Sequence, residues 1–251
     1  MKNFILTVFS LVFFAASIFA QSGVEVTYLQ KTNPRPNQPN GDFFSTDYYA
    51  QLVSNGVEST YRFGQGGEGK QVFRGDNNSV KIIYSDARGY VFYRNQDDKS
   101  IVSRDMIKDQ PFIIKEDIPQ ISWEIKEETK EIGGYQCQLA VTTFRGRVYD
   151  AWFAQEIPLN VGPWKLGGLP GLILEAKARD GMIQFIFAGL KQVDPATIAW
   201  NKAPRNGMNI SFEGFFDTRV RKDEEWVKKI SAHPGVTVRP AKKKSYFEIA
   251  K

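Results

Sequence analysis

The sequence predicts an all-β protein with one curved antiparallel sheet, a bowl or half-barrel traced as an open meander, and one C-terminal α-helix. Short runs in which apolar and polar residues alternate recur along the chain, and residues 121–126 are the clearest example. Turn-forming pairs such as Asn55-Gly56, Gly133-Gly134 and Arg145-Gly146 separate the runs. Short strands joined by short polar turns are typical of a sheet in which each strand pairs with the next.

The strands are expected in the order in which the alternating runs occur. The main runs cover residues 24–28, 57–63, 80–84, 90–93, 121–125, 135–141, 172–176 and 182–190. The last run is apolar at both odd and even positions, which predicts a central or covered strand. The segment from Lys31 to Asn40 is rich in proline and asparagine, so it is either a plain surface loop or a flap over another part of the molecule.

One helix is predicted near the C-terminus. Acidic residues come first, at 223–225, and Lys228-Lys229 come last, an order that suits the helix dipole. Trp226, Val227 and Ile230 would form its apolar stripe, and the sequence at 233–235, His-Pro-Gly, would end it. We expect this helix to pack across the sheet or to close one end of it.

The N-terminus predicts export. A positive start is followed by an apolar run that ends at Ala20, as in a secretory signal peptide, so residues 1–20 are expected to be removed. Residues 21–251 then form one β-rich domain without a transmembrane segment. The net charge of +5 is modest, and basic residues are not interleaved with aromatic ones, which argues against nucleic-acid binding. The cluster from Arg239 to Lys244 is a solvated tail or a contact for an acidic envelope surface.

Several chemistries are disfavoured by the residues available. The chain has one cysteine, Cys137, and one histidine, His233, so neither a zinc centre nor a cysteine–histidine pair is expected, and no cofactor is predicted. Cys137 is expected to be a buried structural thiol. The glycines and lysine at 64–70 have the spacing of a phosphate-binding loop, but Gln71 replaces the required hydroxyl and a strand follows, so a hairpin tip is predicted.

A compact glycine- and proline-rich block stands at Gly168, Leu169, Pro170, Gly171, Leu172 and Ile173. Pro170 favours the second position of a tight turn, and Gly171 is expected to supply the positive φ of a type II turn. The block therefore predicts a rigid, architectural corner that feeds a strand. It resembles the signature of the bacterial GLPGLI family, and the similarity extends over about residues 120–180.

The resemblance implies an exported or envelope protein of a Gram-negative bacterium. The same family is similar to the bowl-like N-terminal domain of one bacterial peptide-N-glycosidase, an accessory domain rather than the catalytic one. This similarity implies a curved sheet with a concave face. It does not indicate a particular reaction, since a shared fold does not transfer function.

Candidate ligand-binding residues lie on one strand. Arg147, Tyr149 and Phe153 share a face, and aromatic rings beside a guanidinium suit a glycan, peptide or lipid. Asp150 and Trp152 lie on the opposite face of that strand, and Asp150 is expected to pair with Arg145 or Arg147.

The predicted function is a non-catalytic module that binds a ligand or a partner through the concave face. One alternative is a hydrolase of glycan or peptide that uses carboxylates among Glu124, Asp150 and Glu175. The structural explanation is preferred, with Glu124 and Glu175 as outward residues of strands and Asp150 as a member of an ion pair. Another is an accessory subunit of an outer-membrane transport or assembly complex. The expected location is the periplasm or the outer membrane surface, or outside the cell.

Overall fold

The computed structural model describes residues 23–37, 41–66, 69–76, 79–199 and 201–232. The predicted signal peptide, the histidine and the basic tail lie outside the described residues. The strands are β1 Gly23–Thr32, β2 Thr46–Ser54, β3 Glu58–Phe63, β4 Gly69–Arg74, β5 Val80–Ser85, β6 Tyr90–Asn95, β7 Ser100–Ile107, β8 Gln110–Asp117, β9 Glu124–Ile132, β10 Tyr135–Phe144, β11 Arg147–Ala154, β12 Leu172–Ala178, β13 Ile183–Val193 and β14 Met208–Ile210. Helix α1 is Phe212–Ser231, and short 3₁₀ helices cover Gly41–Phe44 and Pro195–Thr197.

Twelve strands form one open sheet in the order β14-β8-β7-β6-β3-β2-β1-β13-β12-β11-β10-β9. The pairs are antiparallel except β8–β14, which is parallel, so the predicted fold class is confirmed with one parallel pair at an edge. The predicted central position of the 182–190 strand is also confirmed, because β13 lies between β1 and β12. The sheet therefore consists of two meanders, one from β1 to β8 and the other from β9 to β13. The pairing of β1 with β13 joins them.

The connection between β8 and β9 requires the sheet to curl. These strands stand ten places apart in the sheet order, which would separate them by about 48 Å if the sheet were flat. Residues 118–123 join them, and an extended link of that length spans only about 25 Å. The two edges accordingly approach each other, and Arg145, in the β10–β11 turn, forms an ion pair with Glu116 on β8.

A buried loop fills part of the resulting trough. Residues 155–171, which we call the plug, connect β11 to β12 and pack against the concave face. The six apolar side chains that anchor the plug are at most 5% exposed: Ile157, Leu159, Val161, Trp164, Leu166 and Leu169. Each such buried side chain contributes about 1.5–3 kcal/mol, so the plug is a major part of the core.

Polar contacts fix the plug to both sides of the trough. Trp123 donates its indole N–H to the Gly167 carbonyl oxygen at 2.9 Å. Just beyond the plug, Tyr28 on β1 donates its hydroxyl to the carbonyl oxygen of Ile173 on β12 at 2.7 Å. The Lys165 side chain is 1% exposed and forms an ion pair with Glu116. Arg94 donates to the Lys165 carbonyl oxygen at 2.7 Å, and burial lowers the pKa of Arg94 to about 10.

The backbone conformations of Gly168 and Gly171, in the predicted corner, differ from those expected. Gly168 takes the positive φ, +87°, whereas Gly171 does not lie in that region. Gly171 is required for a different reason, because a Cβ there would stand 2.3 Å from the Ala154 carbonyl oxygen. The expectation of a type II turn with Gly171 at positive φ is therefore wrong: this glycine permits close packing of two backbone segments.

Helix α1 begins eleven residues earlier than predicted. Ser211 caps it by accepting a hydrogen bond from the Gly214 N–H at 3.0 Å, a cap that is typical of helix N-termini. Its buried side chains are Phe212, Phe215 and Phe216, while Trp226 is 39% exposed. The predicted apolar stripe was wrong because it used the polar second half of the helix. The helix packs against β8, with the Phe112 and Phe215 rings 5.6 Å apart, so of the two expected placements the one at an end of the sheet is confirmed.

Among the other local predictions, the strand expected at 121–125 is wrong in its start, because residues 121–123 belong to the link between β8 and β9 and the strand begins at Glu124. The turns and the buried thiol are confirmed. The pairs at 55–56, 133–134 and 145–146 form turns between successive strands. Cys137 is fully buried, and burial raises the pKa of its thiol to about 11. Within the described ranges, no helix combines the length and apolar composition needed to cross a bilayer.

Candidate ligand site on the concave face

A cavity of about 460 Å³ lies on the concave face beside the plug. Its floor is formed by β1, β2, β3 and β6, its roof by β5 of the β4–β5 hairpin, and one wall by the loop after β1. The lining residues used below are Gln30, Thr32, Tyr48, Phe63, Ile82, Tyr84, Tyr90, Phe92, Asp105, Lys81 and Arg219. We call this the concave cavity, and its volume lies in the usual range of small-molecule sites, about 300–1,000 Å³.

Aromatic rings make up much of the floor. Phe63 stacks on Tyr90 with 4.8 Å between ring centroids and on Phe92 with 6.3 Å, and it contacts Tyr48 at 5.6 Å. These residues come together because directly paired positions on β3 and β6 present their side chains to the same face, as Phe63 and Tyr90 do. The floor therefore offers rigid apolar contact area at low entropic cost.

A buried amide supplies a hydrogen-bond donor at the floor. Gln30 is 1% exposed, and its Oε1 accepts a hydrogen bond from the Tyr61 hydroxyl at 2.7 Å. Its Nε2 has no hydrogen-bond acceptor among the described residues. Since an unmatched buried donor costs about 1–3 kcal/mol, this atom favours a ligand that brings an acceptor.

The polar rim carries neutral phenols and one ion pair. Burial raises the pKa of Tyr90, Tyr48 and Tyr84, so these hydroxyls stay protonated and can donate hydrogen bonds. Asp105 accepts a hydrogen bond from the Arg219 guanidinium at 2.9 Å where helix α1 meets the cavity.

The roof is a separate two-stranded unit. Strands β4 and β5 pair only with each other in the described part of the chain. Lys81 tethers the roof by donating to the Ser45 carbonyl oxygen at 2.6 Å, and desolvation lowers the pKa of this lysine. At the base of the hairpin, Asp86 pairs with the buried Arg104 at 2.5 Å. A strand, β4, begins at Gly69 within the glycine block at 64–70, so the expectation that the block is not a phosphate loop holds. The expected hairpin tip is wrong, because β3 belongs to the main sheet whereas, within the described residues, β4 pairs with β5 and not with β3.

The residues predicted from β11 are divided between two faces and lie outside this cavity. Arg147, Tyr149 and Phe153 point to the concave side and are buried beneath the plug. The rings of Tyr149 and Trp164 are 6.4 Å apart, and Arg147 lies 3.0 Å from the Asp180 carboxylate. Their part in ligand binding stays a prediction.

Asp150 and Trp152 lie on the outer face of the same strand. Asp150 accepts hydrogen bonds from Arg179 at 2.7 and 3.0 Å, so the expected pairing with Arg145 or Arg147 was wrong. Those two arginines point away, because Arg147 faces the trough and Arg145 reaches Glu116. Lys130 lies 4.6 Å over the Trp152 ring.

The three carboxylates of the hydrolase alternative each have a basic partner on this outer face. Glu124 pairs with Lys126, Asp150 with Arg179, and Glu175 with Lys130 at 2.6 Å. Among the residues that the structure describes, no group of three or more histidine, cysteine or acidic side chains is arranged to hold a metal ion.

Sequence reasoning missed the concave cavity because eight segments that are distant in sequence build it. The alternating run at 57–63 and the run at 90–93 did identify the strands that carry Phe63 and Tyr90. The available signal for a cover was the segment from Lys31 to Asn40, and the structure places its Pro34 in the cavity wall. The strand pairings that unite these segments have no local signature.

Comparison with known protein families identifies the family of this chain. The model of a family described as "N-glycanase peptide, N-terminal domain" matches residues 73–212, which is more than half of the chain. The chain belongs to this N-glycanase N-terminal domain family. Among curated proteins, none matches the sequence.

Solved structures of PNGF-II share the fold of this N-glycanase-type domain. In one crystal form, PNGF-II matches with a TM-score of 0.54 and 14% identity over 80% of this chain and 34% of that one. A second crystal form gives a TM-score of 0.51 and 13% identity, with 80% and 33% covered. The chain thus spans about a third of those proteins, and at this identity the likeness concerns the fold alone.

Proposed function

We propose that this domain is a non-catalytic binding module and that the concave cavity holds its ligand. The observation that carries the proposal is the Gln30 Nε2 donor, buried at the floor with no described acceptor. Structural polar groups in a core are normally hydrogen-bonded, so an unmatched donor on a residue that lines the cavity is a candidate contact for a ligand.

The lining chemistry specifies an amphipathic ligand. The stacked rings of Phe63, Tyr90 and Phe92 would contact an apolar body, while Gln30 would donate to a carbonyl, ether or hydroxyl oxygen. Of the three ligand classes expected from the sequence, this composition favours a lipid or an apolar peptide segment over a glycan. The family's N-glycanase name supports a role beside glycoprotein chemistry without specifying the ligand.

Ligand binding can be tested with a bulky substitution in the roof. The Ile82→Trp variant would fill the cavity, because Ile82 is half-buried in its lining. The control is Gln71→Trp, which adds the same ring to the exposed strand of the same hairpin. The probe is the neutral fluorophore N-phenyl-1-naphthylamine, whose emission rises in apolar sites.

The proposal predicts that wild type and Gln71→Trp bind the probe and that Ile82→Trp weakens binding by at least about tenfold, equivalent to about 1.4 kcal/mol. Equal binding by both variants, or no binding by wild type, would contradict it. Thermal unfolding of the variants checks that each is folded.

We also propose that the protein is exported and works in the periplasm or at the outer membrane surface. The support is the signal-peptide pattern of residues 1–20. N-terminal sequencing of protein recovered from the cell envelope tests this, and a chain that retains residues 1–20 would contradict it.

The five residues predicted on β11 remain a separate proposal. Trp152 and Asp150 could add a contact surface on the outer face, where Trp152 is half-buried. A Trp152→Ala variant that binds the native ligand as wild type does would remove this surface from consideration.

A further inference from the structure

A second concavity lies on the outer face of the same strands that floor the concave cavity. It has a volume of about 1,070 Å³ and is bounded by β3, β6 and β7 below and by residues 196–199 and 201–206 above. We call it the outer groove. Alternation along β6 separates the two sites, because Tyr90 and Phe92 face the concave cavity while Val91 and Tyr93 face the outer groove.

The groove is built by buried polar contacts. Thr60, fully buried on β3, donates to Asn201 Oδ1 at 2.8 Å. Arg104, 1% exposed on β7, donates its Nε–H to the Asn206 carbonyl oxygen at 3.1 Å. These two contacts hold residues 201–206 above the sheet.

The lining is strongly cationic. Five of its residues are basic: Arg62, Arg88, Arg104, Lys202 and Arg205. The single acidic lining residue is Glu58, which accepts a hydrogen bond from Tyr93. Arg104 is neutralised by Asp86, and Arg62 donates to Gln51 Oε1 at 2.7 Å.

Three of these cations are available for a ligand. The exposed side chains of Arg88, Lys202 and Arg205 form no hydrogen bond or ion pair with any described residue. Like charges held around one concavity repel each other, and an anionic ligand would relieve that repulsion. Guanidinium groups bind carboxylate and sulfate in a bidentate geometry, which makes arginine a specific anion ligand.

We propose that the outer groove binds an acidic oligosaccharide. The cations would contact carboxylate or sulfate groups, and the amides of Asn55, Asn201 and Asn206 in the lining would meet sugar hydroxyls. The apolar lining includes Val91, Ile198 and Pro204, which suits the faces of sugar rings. This site is independent of the concave cavity and of its proposed ligand.

The test compares two triple variants of equal charge change in the full chain. Arg88→Gln, Lys202→Gln and Arg205→Gln remove the available groove cations. Lys70→Gln, Lys177→Gln and Lys228→Gln remove three exposed cations that do not line the groove. Binding of hexagalacturonate, maltohexaose and hexaglutamate is measured by calorimetry at two salt concentrations.

The proposal predicts that hexagalacturonate binds wild type, that binding weakens with salt, and that maltohexaose does not bind. The groove triple should weaken hexagalacturonate binding by at least about tenfold, since charge-assisted hydrogen bonds are lost, and the control triple by less than about threefold. Equal weakening in both triples would overturn the site. Absent binding, or hexaglutamate binding as tightly as hexagalacturonate, would overturn the assignment to a sugar.

Discussion

Beneath β10–β12 the concave face is covered by the chain's own residues 155–171, whereas in front of β1–β3 and β6 it opens into a cavity of about 460 Å³. The covered half contains buried charges that partner one another, such as Lys165 and Glu116. The open half leaves a buried donor, Gln30 Nε2, without a described acceptor. We therefore interpret the glycine- and proline-rich block as architectural and expect binding in the half that the plug does not fill.

The largest effect is expected at Glu116, which joins β8, the plug and the β10–β11 turn. Glu116→Gln removes the carboxylate that pairs with both Lys165 and Arg145. We expect the free energy of unfolding to fall by about 3–5 kcal/mol, as when one partner of a buried pair is removed. Urea denaturation measures this change.

Glu124→Gln is the matched control, because its partner Lys126 lies beside it on the exposed outer face. The control is expected to change stability by less than about 0.5 kcal/mol. If both variants were equally stable, Glu116 would not hold the two sheet edges together.

The two glycines of the corner distinguish close packing from backbone conformation. Gly171→Ala places a Cβ against the Ala154 carbonyl oxygen, and we expect a loss of about 2–3 kcal/mol from this overpacking. Gly168→Ala meets no atom within 4 Å but must adopt φ +87°, which costs about 1 kcal/mol. Chemical denaturation ranks the two variants, and the reverse order would contradict the packing role of Gly171.

If the corner is architectural, neither Gly168→Ala nor Gly171→Ala should alter binding of N-phenyl-1-naphthylamine at a temperature where the variant is folded. The same holds for Pro170→Ala, which we expect to lose about 0.5–1 kcal/mol. Loss of binding by a Pro170 variant that melts as wild type does would contradict the separation of the two halves.

The smallest effect concerns pH. Burial raises the pKa of Cys137 from 9.0 to about 11, so the folded state binds the thiol proton more tightly than the unfolded state does. The resulting stabilisation is complete below pH 9 and is lost as the pH rises toward 11. The Cys137→Ala variant should therefore show a shallower decline of stability than wild type between pH 9 and 11. An identical slope of unfolding free energy against pH would contradict this account.

The fold could be predicted largely from local patterns, and the site could not. Alternation identified the strands at 57–63 and 90–93, and glycine pairs marked the turns, because both signals are local. The start of α1 was missed because Phe212, Phe215 and Phe216 follow strand-like residues and precede the more obvious charged turn. The role of Gly171 depends on Ala154, seventeen residues earlier, and the cavity depends on pairings such as β1 with β13. Such contacts are set by how the whole sheet curls.

The most direct test of the division between a covered half and a binding half is native mass spectrometry of protein purified from its own cells. The account predicts that wild type and Gln71→Trp carry an apolar small molecule or peptide that Ile82→Trp does not retain. A molecule retained equally by all three proteins, or wild type that carries none and binds no apolar probe, would contradict it.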